Sequence, residues 1–178
     1  MIFDFEKGYI LTENQFIFRT IRKEEAGEAA EIERICFPPN EACSEEHMKE
    51  RAEQASDLFL VAEDRETGHL AGFLNGLSTK EHIFRDEFFT DISLYDPAGE
   101  NVMLLGLDVL PEYRGRGLAR SLVEHYCELA REHGCSRLIL TCHDIKIGMY
   151  EKFGFRDNGI SGSVWGGEVW HDMVRSVE

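Results

Sequence analysis

The segment Val109-Leu110-Pro111-Glu112-Tyr113-Arg114-Gly115-Arg116-Gly117-Leu118-Ala119-Arg120 constrains this chain more than any other. Before it, Val102 to Leu110 is an apolar run of strand length, broken by Gly106 and Asp108 and stopped by Pro111. After it, from Gly117 to His133, residues Leu118, Leu122, Val123, Tyr126, Leu129 and Ala130 make one helical face, and Gly134 supplies a stop. A strand that passes through a glycine turn into a long helix gathers free backbone N–H groups and the positive end of the helix dipole at one point. That is an anion site. Gly115 and Gly117 let the main chain approach a diphosphate, Ala119 adds little bulk, and Arg114, Arg116 and Arg120 bring positive charge. A Walker loop is excluded because no Gly-Lys-Ser/Thr follows, and the dinucleotide fingerprint is not matched because position 120 is Arg.

The flanking sequence supplies strands and helices in alternation. Phe16 to Ile21 reads as a strand, and Glu24 to Cys36 as a helix stopped by Pro38 and Pro39. A second helix follows, with Ser44 as N-cap and Glu45 and Glu46 in its first turn. Leu58–Ala62 and His69–Leu77 flank Arg65-Glu66-Thr67-Gly68 as a hairpin. Residues 78 to 100 are read as an irregular excursion with the turn Asp96-Pro97-Ala98-Gly99 and a short helix around Lys80 to Arg85. Beyond the long helix come a strand at Arg137–Cys142, a helix at Ile145–Phe153 ended by Gly154, and strands near Phe155–Asn158 and Glu168–Val174 around the glycine-rich Gly159 to Gly167. The order β-α-α-β-β-β-α-β-α-β-β predicts an α/β fold, a mixed sheet with helices on both faces.

Length and charge narrow the function. Residues 1 to 178 fit one domain. A formal charge of −15 repels phosphate backbones and argues against nucleic acid or an anionic membrane as partner, while it draws in a cationic small molecule. The five cysteines lack CxxC spacing and sit mostly in apolar runs, so neither a disulfide framework nor a zinc site is expected. Met1 to Ile10 lacks the pattern of a signal peptide, and no apolar stretch nears 18 residues. The expectation is a cytoplasmic protein, with a homodimer left open.

The segment at 114–120 resembles the acyl-CoA-binding motif Arg/Gln-x-x-Gly-x-Gly/Ala of the GNAT acetyltransferases, met here by Arg114, Gly117 and Ala119. The superfamily's Tyr-x-x-x-Gly-Phe ending is matched by Tyr150-Glu151-Lys152-Phe153-Gly154-Phe155. Within the superfamily the chain looks most similar to the arylalkylamine N-acetyltransferases and their bacterial relatives. Glu31-Ile32-Glu33-Arg34, Thr79-Lys80-Glu81-His82 and Cys142-His143-Asp144 carry that likeness. The resemblance implies a splayed seven-stranded sheet, acetyl-CoA as cofactor with its pantetheine between the fourth and fifth strands, and an N-acetyltransferase with a small aryl- or alkylamine as acceptor.

For such a reaction the amine must be neutral, the thioester carbonyl polarised and the departing thiolate protonated. The backbone of Leu107, Asp108 and Val109 is expected to face the acyl group. The pyrophosphate is expected on Arg114, Gly115, Arg116, Gly117, Leu118, Ala119 and Arg120, with His143 on the cofactor side. Resemblance places Tyr150 beside the sulfur as the acid. The two histidines of the arylalkylamine enzymes are replaced by Met103 and Leu105, neither of which takes a proton, so their proton wire does not carry over. Asp108, Glu100, His143 and Glu168 remain as substitutes for the base, as does a water chain reaching solvent without a dedicated base. Cys142 is read as a buried strand residue, since direct attack needs no acyl-enzyme. Cys36-Phe37-Pro38-Pro39-Asn40-Glu41-Ala42-Cys43 is placed by resemblance over the acceptor, and Phe37 and Trp165 could wall it. Protein or peptide acetylation and a noncatalytic acyl-CoA sensor stay open as alternatives.

Overall fold

The computed structural model describes residues 2–4, 9–11 and 14–177. Seven strands form the main sheet: β1 (Phe16–Thr20), β2 (Phe59–Asp64), β3 (Leu70–Thr79), β4 (Asn101–Val109), β5 (Arg137–Cys142), β6 (Arg156–Ile160) and β7 (His171–Ser176). Their order across the sheet is β1-β2-β3-β4-β5-β7-β6, and only the β4/β5 pair is parallel. Four helices accompany it: α1 (Ala26–Cys36), α2 (Glu45–Gln54), α3 (Leu118–Glu132) and α4 (Ile147–Lys152). From residue 16 onward the element order is the one the sequence predicts. A short antiparallel pair, Ile2–Asp4 with Tyr9–Leu11, precedes it.

The helices divide between the two faces of the sheet. On one face, Leu118, Leu122, Val123, Tyr126, Cys127 and Ala130 of α3 are buried against Leu74, Leu104, Leu138 and Leu140. The helical stripe read from the sequence is thus the core stripe, with Leu129 at its edge, and the α4 residues Ile147 and Tyr150 pack against the same cluster. On the other face α1 and α2 bring Ala29, Ile32, Met48 and Ala52 against Val61 and Phe73. A third cluster, built on Phe84, Phe88, Met103, Leu105 and Ile139, prolongs that second layer. Burying side chains of this size contributes about 1.5–3 kcal/mol each, which is what holds helices that are short on their own.

Three details position the site. β3 and β4 lose register between Asn75 and Gly76: Asn75 faces Gly106 and Gly76 faces Leu104, so Leu105 is an extra residue on β4. The irregularity expected at Gly106 is therefore a β-bulge. The parallel pairing of β4 with β5 covers only Asn101–Arg137, Val102–Leu138 and Met103–Ile139, after which the strands diverge. Lastly, the hydroxyl of Ser44 caps α2, accepting the N–H of His47 at 3.1 Å as the sequence foretold.

Other expectations fail locally. No helix forms over Lys80 to Arg85; the excursion instead holds two 3-10 turns, Asp86–Phe89 and Ile92–Leu94. The segment is fixed by buried Phe84 and Phe88 and by a bidentate Arg85–Glu81 pair, at 2.8 and 2.7 Å, which needs no helical backbone. The helix expected from Ile145 begins at Ile147 after a 3-10 turn. The last strand starts at His171, because residues 165 to 170 are taken up by a turn in which the indole N–H of Trp170 donates to the Trp165 carbonyl at 2.9 Å.

Candidate active site

Where β4 and β5 part, a cavity of about 770 Å³ opens between Leu104–Val109 on one side and Leu140–Cys142 on the other. Its edge on β4 offers backbone groups. Leu110 donates to Ala71 O at 3.0 Å, so antiparallel alternation turns the N–H and C=O of Leu107 and Val109 away from β3, toward the cleft. The Val109 carbonyl already accepts from Arg114 Nε at 2.8 Å and from Cys36 Sγ at 3.5 Å. Leu107 and Val109 line the cavity; the Asp108 side chain points to the opposite face of the strand and is wholly buried there.

The glycine turn lines the same cavity. Gly115 and Gly117 have φ of 73° and 82°, conformations that an L side chain rarely adopts, and Gly117 is the N-cap of α3. The N–H groups of Gly115, Arg116 and Gly117 make no backbone hydrogen bond, and those of Leu118, Ala119 and Arg120 begin the helix without partners behind them. Six consecutive amides thus stand without backbone partners at the head of α3. The arginines are less uniform than the sequence reading supposes. Arg120 lines the cavity, its guanidinium 5.3 Å from the Phe153 ring centre. Arg114 also lines it, yet turns its guanidinium back onto Val109 and Cys36, bracing the turn against β4 and α1. Arg116 donates to the Glu112 carbonyl at 3.0 Å and stands outside the cavity lining.

Elsewhere around the cavity the loop between α1 and α2 is clamped to the turn before β7. Trp165 Nε1 donates to the Glu41 carbonyl at 2.9 Å, and Asn40 Nδ2 to the Gly166 carbonyl at 3.0 Å. The Glu41 carboxylate lies 3.0 Å from His143 Nε2, and the imidazole stacks on Trp170 at 4.2 Å. His143, expected on the cofactor side, is thus part of this wall. Phe37, Phe89, Trp165 and Trp170 give the chamber aromatic sides, and Glu33 and Glu41 bring carboxyl groups to it.

Tyr150 lines the cavity from α4, with its ring edge-on to Phe155 at 5.5 Å. Burial first, and to a lesser degree the neighbouring Cys142 and Asp108, push its phenol upward, so it keeps its proton at neutral pH. Cys142 is buried and its thiol is pushed up to about 12, chiefly by desolvation, which leaves it no nucleophile. Met103 is core, and Leu105 reaches the cavity only as an apolar wall. Of the substitutes for the missing histidines, Glu100 and Glu168 are exposed and outside the lining, Asp108 is buried behind it, and His143 lines the cavity. Glu33, which sequence reasoning did not single out, is 3% exposed and lines the cavity.

The family model described as "Acetyltransferase (GNAT) family" matches residues 27–155, which span α1 through Phe155 and include the glycine turn and Tyr150. The chain belongs to the GNAT acetyltransferase family. Glucosamine 6-phosphate N-acetyltransferase 1 of Oryza sativa subsp. japonica is 31% identical to this GNAT protein over 127 residues, 68% of this chain and 70% of that one. Other curated relatives are matched over less than half of their own length. Among solved structures, the GphF GNAT-like decarboxylase in complex with isobutyryl-CoA has a TM-score of 0.78 at 18% identity, covering 91% of this chain and all of that one. The structure of yncA from Salmonella typhimurium with its cofactor acetyl-CoA has a TM-score of 0.64 at 17% identity, covering 92% and 94%. These likenesses fix the GNAT fold.

As a GNAT acetyltransferase the protein takes acetyl-CoA as acyl donor. The residues present fit it: free amides at 115–120 for the diphosphate, an open β4 edge for the pantetheine and acyl carbonyl, and Tyr150 farther in. Among the described residues no helix is long and apolar enough to cross a membrane.

Proposed function

We propose that this GNAT protein acetylates the primary amine of a small molecule by direct attack on the thioester of acetyl-CoA, with an aryl- or alkylamine as acceptor. The observation that carries the reading is the chamber beside the β4/β5 cleft. It is roofed by a loop clamped through Glu41 to Trp165 and His143, walled by aromatic rings and lined with carboxylates. Such a chamber suits a compact cation with an apolar body better than it suits an extended peptide, which needs an open groove.

In this reading the amides of residues 115 to 120 hold the diphosphate, and Arg120 adds charge. The free β4 N–H groups, at Leu107 or Val109, polarise the acyl carbonyl as its oxygen gathers charge. Tyr150, kept protonated, gives its proton to the sulfur as the C–S bond breaks. His143 shapes the acceptor chamber. The sequence likeness to arylalkylamine enzymes points to the same acceptor class, although the matched curated relatives include glucosamine 6-phosphate and thialysine N-acetyltransferases and the histidine wire has no counterpart in Met103 and Leu105.

The similarity to the rice enzyme favours a second acceptor, an amino-sugar phosphate. Arg51 Nη1, buried and without a partner beside a smaller pocket that shares Glu33, Leu105 and Trp165 with the chamber, is the cation available to it. The test is thiol release from acetyl-CoA with arylalkylamines, polyamines, amino acids, glucosamine 6-phosphate and short peptides. Turnover of one amine class, as expected, supports the main reading. Turnover of glucosamine 6-phosphate alone supports the second, and turnover confined to peptides overturns both.

A further inference from the structure

Two carboxyl groups from different elements meet behind the β4 bulge. Glu33, in the last turns of α1, is 3% exposed, and Asp108, near the end of β4, is 0% exposed. Glu33 Oε1 accepts the backbone N–H of Cys43 at 3.0 Å. Among the described residues, Glu33 Oε2 and both oxygens of Asp108 have no donor. A Cβ placed on Gly106 would stand 3.0 Å from Asp108 Oδ1 and 3.3 Å from Glu33 Oε2, so the orphaned oxygens converge over the glycine, at the floor of the acceptor chamber.

Two dry carboxylates this close do not both ionise, because each must be desolvated against the other's charge. A proton on one of them removes the conflict and gives the other a donor, satisfying oxygens that otherwise have none. Burial first, and then the charge and hydrogen-bonding of Glu33, push the Asp108 carboxyl well above the usual carboxylate range. Titratable and charged groups face the pair from several elements. Cys36 of α1 adds to the upward push on Asp108, and the buried Arg51 of α2 opposes it. Glu41 and Cys43 stand on the roofing loop, and Tyr150 and His143 face the chamber from α4 and from the end of β5.

We propose that Glu33 and Asp108 share one proton, that Glu33 is the base which deprotonates the incoming ammonium, and that Asp108 is its positioning residue. This rests on the amine reading above and narrows it to acceptors that arrive as alkylammonium cations. The ammonium gives one proton to Glu33, and the freed nitrogen lone pair forms the C–N bond at the thioester carbonyl. As the C–S bond breaks, Tyr150 gives its proton to the sulfur. The remaining proton lost by nitrogen restores Tyr150, and Glu33 returns its own to solvent. The sum is one amide, one thiol and one released proton.

The experiment pairs pH–rate profiles of kcat/KM with infrared spectra of the full chain, using the amine that wild type turns over and variants confirmed to bind acetyl-CoA. Glu33→Gln is expected to lose about 10²-fold or more in kcat and to lose the acid limb of the profile. Asp108→Leu, which removes the donor and leaves Glu33 dry and alone, is expected to move that limb to higher pH; Asp108→Asn, whose amide donates as the acid does, returns it. Wild type at neutral pH is expected to show a protonated-carboxyl stretch that Asp108→Asn lacks. Glu33→Gln with wild-type kcat and acid limb, or the absence of that stretch from wild type, overturns the inference while leaving the amine reading in place. A wild type that binds acetyl-CoA but releases thiol with no amine overturns the reading and this inference with it.

Discussion

The imidazole of His143 is held between the Glu41 carboxylate, 3.0 Å from its Nε2, and the indole of Trp170, on which it stacks at 4.2 Å. The contact joins the α1–α2 loop to the end of β5 across 102 residues of chain. Glu41→Ala removes the carboxylate but leaves the Trp165–Glu41 main-chain bond, so the roof loosens without detaching. We expect KM for the acceptor to rise about tenfold, the worth of about 1.4 kcal/mol, with a smaller change in kcat and none in KM for acetyl-CoA. Steady-state kinetics with each substrate varied in turn checks this.

Tyr150→Phe keeps the ring contacts with Phe153 and Phe155 and deletes only the hydroxyl. Because the phenol is held protonated by burial, its loss removes a proton donor, not a charge. The expected result is a fall in kcat of about 10²-fold, with acetyl-CoA affinity and thermal midpoint little changed. A variant with undiminished kcat would remove Tyr150 from the reaction.

Gly117 caps α3 with φ of 82°. Gly117→Ala forces an L side chain into that region at about 1–2 kcal/mol, or the turn relaxes and its amides lose their aim. The thermal midpoint of the unliganded protein should drop by a few degrees, and the Kd for coenzyme A should rise. Calorimetry of the two proteins, with and without ligand, reads both effects.

Asp64 gives a pH signature of the fold. Burial raises its carboxyl, but the N–H of Glu66 at 2.8 Å, the hydroxyl of Tyr113 at 2.8 Å and Gln15 at 3.2 Å outweigh burial and hold it below the usual range. A carboxyl depressed in the folded state stabilises above its unfolded value, about 3.9, and that contribution is lost as pH falls through the folded value. Asp64→Asn should therefore melt below wild type near neutrality, and the difference should shrink below about pH 4. Since Tyr113 ends the 3-10 turn leading into the glycine loop, the variant should also weaken cofactor binding.

Where the sequence repeats a strong local pattern, structure follows it. The stripe from Leu118 to Ala130, the cap at Ser44 and the glycines at 115 and 117 are decided within a turn or two of chain, and each stands where expected. The segment 80–85 misleads because Glu81 and Arg85 sit at helical spacing yet pair across an irregular backbone anchored by Phe84 and Phe88. Glu33 is invisible for a different reason. Between Ile32 and Arg34 it reads as one more polar residue of an amphipathic helix, and it becomes buried only because the fold sets Asp108 of β4 against it, with Arg51 of α2 close by. No local window contains residues 33, 51 and 108 together. Likewise His143 follows directly on the end of β5, but its partners Glu41 and Trp170 are distant in the chain, so no local window shows what holds the imidazole.

The two arms of the sheet, β1 to β4 and β5 to β7, share only three residue pairs. A pantetheine laid along the free edges beyond Met103 and Ile139 would supply the missing rungs, and a cofactor bound there would act as a temporary eighth strand. Its binding energy is then also cohesion between the arms: saturating coenzyme A at 100 times its Kd adds about 2.7 kcal/mol to the folded state. Amide exchange should slow on both banks of the cleft at once, in β4 and in β5, turning two loosely joined leaves into a single slab.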